Sequence, residues 1–112
     1  MSAAPVSEPD FAALTIRQLL ALYDAHAAAA DAYLSILAQP RAEGAVYGLI
    51  EGFFDACNDH KQAIARHVEG RSPASPAERE AKGEILVQWN LACGGWRDLV
   101  AVVRENFEGP GI

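Results

Sequence analysis

Ile85-Leu86-Val87-Gln88-Trp89-Asn90-Leu91-Ala92-Cys93-Gly94-Gly95-Trp96-Arg97-Asp98-Leu99-Val100-Ala101-Val102-Val103 is the stretch on which the fold turns. Two adjacent glycines inside a helix cost about 2 kcal/mol relative to alanine. The apolar phase nevertheless runs through them. Trp89, Trp96 and Val103 recur at a spacing of seven, with Ile85, Ala92 and Leu99 between them. A loop normally resets such a phase. The stretch therefore reads as one helix, kinked at Gly94-Gly95, with a split there as the alternative.

Upstream, Ser75-Pro76-Ala77-Glu78 is the clearest helix start in the chain. It places a Ser cap, a Pro in the first turn and a Glu at the third position. Downstream, Gly109-Pro110-Gly111 ends the helix near Phe107. Before it, a polar loop at residues 70–75 follows a second helix, from about Arg41 to Glu69, with Gly70 as its stop. The first helix starts at a capping box, Thr15 with Gln18, and runs to about Ala38, ahead of Pro40. Residues 1–14 form a tail in which Ser7-Glu8-Pro9-Asp10 can cap a turn or two. Residues 15–108 are then one helical domain, and 109–112 a short tail.

The first helix carries Ile16, Tyr23, Ala30 and Leu37, with Leu20, Ala27 and Leu34. The second carries Val46, Phe53, His60 and His67, with Ile50, Cys57 and Ile64. Such seams suit helices packed with nearly aligned axes. β-branched residues are scarce and Ala occurs 22 times, which favours helix over strand. The expected fold is all-α: an antiparallel bundle of three long helices with a short N-terminal segment. Helices this long, roughly 35–48 Å, make a thin monomer. Their apolar arcs, Val46 to Cys57 and Leu99 to Phe107, exceed one seam. A homodimer is expected, with Leu99, Val100, Val103 and Phe107 as its interface.

Nine Lys and Arg against fifteen Asp and Glu, a net charge of −6, argue against tracking of nucleic-acid phosphates. No apolar run reaches the ~18 residues of a membrane span, and the first ten residues lack the pattern of a signal peptide. A cytoplasmic protein is expected, with Cys57 and Cys93 reduced and buried.

Gly44, Gly48 and Gly52 recur every four residues on the second helix. They read first as a close helix contact. In a hairpin turning at 70–75 they would also oppose Gly94-Gly95. Gly48, Gly52, Trp89, Gly94, Gly95 and Trp96 then become a candidate ligand hollow. The same reasoning brings His26 near Asp55, Asp59 and His60, which could hold a divalent transition metal. Against a metal, no Glu-x-x-His or HExxH spacing occurs. No cofactor is required by any motif, and no nucleophile–base constellation stands out. Cys57, three residues before His60, lies on the apolar face, where a thiol serves packing. The leading expectation is a binding or assembly module without catalysis, with a protein partner. The alternative is a metal- or small-ligand-binding bundle.

Overall fold

The computed structural model describes residues 10–93 and 96–107. A short 3-10 turn, Phe11–Ala13, precedes four helices: α1 (Ile16–Leu37), α2 (Gly44–Glu69), α3 (Pro76–Cys93) and α4 (Trp96–Phe107). The chain is all-α over these residues.

The local signals act where the sequence places them. Asp10 Oδ1 accepts from the backbone of Ala12 at 3.1 Å and holds the first turn. The Thr15 hydroxyl accepts from Gln18 N at 3.1 Å, and Gln18 Oε1 accepts from Thr15 N at 2.8 Å, closing the capping box. The Ser75 hydroxyl accepts from Glu78 N at 3.1 Å at the start of α3. The second helix starts at Gly44, three residues later than expected. Gly44 holds φ +63°, a left-handed conformation that favours glycine, just after the turn over 38–43.

α1 and α2 form a long antiparallel hairpin. The rings of His26 and His60 stack at 4.7 Å and those of Tyr33 and Phe53 meet at 5.7 Å, which fixes the hairpin's register. α3 lies across the hairpin parallel to α1. Arg17 shares a groove with Ala77 and Glu80, and Asp24 accepts from Gln88 at 3.3 Å. The core fills the space between the three helices: Ile16, Leu19 and Tyr23 from α1, Ile64, Ala65 and Val68 from α2, Ala81, Ile85 and Leu86 from α3. Burial, with Cys93 and Asp24 nearby, pushes the Tyr23 phenol up to about 12, so it stays protonated near neutrality.

The expectation of one long third helix is corrected. α3 ends at Cys93, and α4 turns back along α3 as the second arm of a hairpin. Gly83 makes this approach feasible. A Cβ there would lie 2.6 Å from two ring carbons of Phe107 and 2.9 Å from the Cβ of Asn106. The Arg79 guanidinium adds a fork, donating from Nε and Nη2 to the Glu105 carbonyl at 3.2 and 2.7 Å. Gly83 and the Arg79 fork together form the docking seat for the returning segment. The seven-residue phase persists because each arm needs its own apolar stripe.

At the other arm of the chain, Arg71 Nη1 donates to the Phe11 carbonyl at 3.1 Å, and the Phe11 ring meets His67 edge-on at 5.6 Å. Phe11 and Phe107 both sit at the end of the bundle formed by the α2–α3 loop, where Phe107 shares a groove with Pro73 and Ser75.

Candidate binding site at the hairpin end

α3 is shorter than the helices it covers. At 1.5 Å per residue it spans about 27 Å against about 39 Å for α2. The arm of α1 and α2 near their connecting turn therefore emerges beyond it. The core stripes record the point where cover stops. On α1, Ile16, Tyr23 and Ala30 are 0–2% exposed, and Leu34 on the same stripe is 53% exposed. On α2, Val68 and Ile64 are fully buried and Cys57 is 9% exposed, whereas Phe53 and Val46 are 53% and 51% exposed. Leu49, at the flank, reaches 62%. On α3, Ala92 continues the stripe of Ile85 and is exposed. The sequence builds a core-facing surface over the full hairpin, and the fold leaves its last turns open.

Six apolar side chains bound this open face: Leu34 from α1, and Val46, Leu49, Ile50, Phe53 and Phe54 from α2. All are exposed or half-buried. Monomers seldom leave a contiguous apolar patch of this kind without a binding role. Sequence reasoning flagged the α2 arc but placed the interface on α4. There Leu99, Val100 and Val103 are half-buried on a helix that packs against α3, and Phe107 stays 41% exposed. The split after Cys93 shortens α3 and uncovers the hairpin.

The glycine stripe is not a packing seam among the described residues, which corrects the reading of a close helix contact. A Cβ added at Gly44, Gly48 or Gly52 would meet nothing within 4 Å. Gly48 is nine residues from Cys57, about half a turn around the helix, so the stripe faces away from the core. Trp89 packs half-buried against the core instead. Gly94, Gly95 and the side chain of Trp96 lie outside the described residues.

Of the four nominated metal ligands, the structure brings two together. His26 and His60 stack with planes 18° apart. Asp55 and Asp59 share a separate stripe, rotated from His60 by roughly 100–140° around α2. Among the described residues no group of three or more His, Cys, Asp or Glu is placed to hold a metal ion. Cover continues about one turn past the histidine pair, to the buried Ala30 and Cys57. Burial, and then the neighbouring His60, hold the His26 imidazole below the ordinary histidine range.

That shift has a definite sign. The folded state binds the His26 proton less readily than the unfolded chain does. Its penalty is absent above about pH 6.5, grows as pH falls through that value, and levels off below the folded value. Thermal melts between pH 8 and pH 5.5 should show a smaller loss of Tm for His26→Gln than for the unmodified chain. Equal losses would remove the histidine pair as the cause.

The two cysteines part company, which corrects the expectation that both are buried. Cys57 is buried and Cys93 is exposed. Cys93 stands one heptad beyond the buried Leu86, past the point where the core has cover. A disulfide-exchange reagent should titrate one thiol in the native protein and the second only on unfolding. Two fast thiols would contradict the packing of Cys57.

No helix among the described residues is long and apolar enough to cross a membrane. The chain matches no protein-family model, no curated protein and no solved structure.

Proposed function

We propose that this chain is a binding or assembly module without catalytic chemistry of its own, and that the open end of the α1–α2 hairpin is its binding face. One observation carries the reading. The same α2 stripe is fully buried at Ile64 and half-exposed at Phe53 and Val46. An amphipathic helix keeps a core-type face where something is to cover it. Among the described residues nothing covers these turns.

The test asks whether the open face is needed for the fold. Val46→Glu combined with Leu49→Glu puts two charges on it while keeping good helix formers. At about 1 µM protein, helix content should be unchanged and Tm should move by less than about 4 °C, corresponding to under ~1 kcal/mol for a domain of this size. A loss as large as that of a core truncation would make the face part of the monomer's own core, and the reading would fall.

A further inference from the structure

We infer that α4 has a second seat. Swung outward as a continuation of α3, it closes over the open end of the α1–α2 hairpin and excludes a partner from it. The inference rests on the reading of that end as a binding face and adds its regulation, a strap carried by the protein itself.

The apolar phase points to this seat first. The two arms of a helical hairpin each need an apolar stripe, but neither needs the phase of the other. Here the phase is common to both. Ile85 and Leu86 are core residues of α3. At steps of seven, the row of Ile85 runs on through Ala92 to Leu99, and the row of Leu86 through Cys93 and Val100 to Phe107. In one continuous helix these rows stay on the core-facing side. Register and length agree with the phase. Gln88 donates to Asp24 across an offset of 64 positions, with α3 parallel to α1. At that offset Leu34 is level with residue 98, and the turn over 38–43 is level with residues 102–107. On α2 the uncovered run from Gly44 to the buried Cys57 is about 20 Å, and the run from Cys93 to Phe107 is about 21 Å as helix.

The two seats are mutually exclusive. On α3, Val102 packs against the core and Asn106 is buried beside Gly83. Leu99 and Val103 flank them at helical spacing and are half-buried. The closed state uses the same Leu99 side of α4, so the helix leaves one seat to take the other. The seat on α3 prevails because Gly83 and the Arg79 fork hold it, and because Gly94-Gly95 weigh against a continuous helix. What the closed state gains is cover for Leu34, Phe53 and Val46, each more than half exposed. An apolar partner on that face supplies the same cover and holds α4 on α3. Partner binding and closure of the strap therefore oppose each other.

Double electron–electron resonance on the full chain tests this, with nitroxides at Glu43→Cys and Arg104→Cys in a Cys93→Ser background. Both positions are exposed, and Cys57 is buried and stays in place. With α4 on α3 the labels stand about 40 Å apart along the bundle. In the closed state they approach to below about 20 Å, one helix spacing plus the label arms. The unmodified chain should give mainly the long distance. Gly83→Ala penalises only the seat on α3 and should raise the short-distance fraction about fivefold or more. Arg79→Ala removes the fork without adding bulk to α3 and should act in the same direction, which keeps the test valid should Gly83→Ala fold poorly. Adding Leu34→Glu to either variant should remove the short distance. The long distance alone in every chain overturns the closure, and so does an undocked α4 that gives a broad distribution without a short peak. A short distance that survives Leu34→Glu overturns it as well, since α4 would then approach the turn without using the face. None of these outcomes touches the binding face itself, which stands or falls on the stability of the Val46→Glu, Leu49→Glu protein.

Discussion

Truncating Ile64 to alanine should cost the protein about 2–5 kcal/mol, the range for emptying a fully buried aliphatic site. Ile64 is fully buried in the common core of α1, α2 and α3. Its removal takes away the methyls and leaves a void that three helices can only partly close. Urea titration followed by circular dichroism measures it, with the midpoint falling and the slope unchanged. The control lies on the same helix. Val46→Ala, eighteen residues earlier on the same stripe, removes a side chain that is 51% exposed and should cost less than about 1 kcal/mol in dilute solution. Equal costs would mean that the stripe is buried along its whole length, and the open end would not exist.

Gly83→Ala should also destabilise, by about 1–3 kcal/mol, although alanine is the better helix former by about 1 kcal/mol. The added Cβ would meet Phe107 ring carbons at 2.6 Å and the Asn106 Cβ at 2.9 Å. The ring, at the end of a rotatable side chain, can swing aside. The Asn106 Cβ is fixed to the α4 backbone, so α4 itself must shift, loosening the Arg79 fork and the buried Asn106. Limited trypsin digestion provides a second readout, with cleavage after Arg104 accelerating as α4 undocks. A more stable Gly83→Ala protein would mean that α4 does not pack on this face of α3. The two outcomes differ in sign, so the experiment distinguishes a helical hairpin from a straight helix.

What could be read from the residues alone was mostly local. The Thr15–Gln18 box, the Ser75 cap with Pro76, and the stop at Gly70 each depend on atoms within four positions, and each sits where it was expected. The approach of His26 and His60 was nearly legible too, because an antiparallel hairpin has only a narrow choice of registers. The break after Cys93 was not. The residue that seats α4 is Gly83, ten residues before the end of α3, and its role exists only once Asn106 and Phe107 have folded back onto it. The heptad phase misled because two short amphipathic helices can share a spacing without sharing an axis. The glycine stripe misled for a simpler reason. Small residues permit a close approach but do not summon one, and the half-turn offset from Cys57 to Gly48 already placed them on the outer surface.

Phe11 and Phe107 lie at the α2–α3 loop, and the open hairpin turn lies at the other end of a body 56 Å in its longest dimension. Whatever docks on the hairpin turn is therefore held a helix length away from Phe11 and Phe107, and a reporter group placed beside either residue would leave the open face unobstructed.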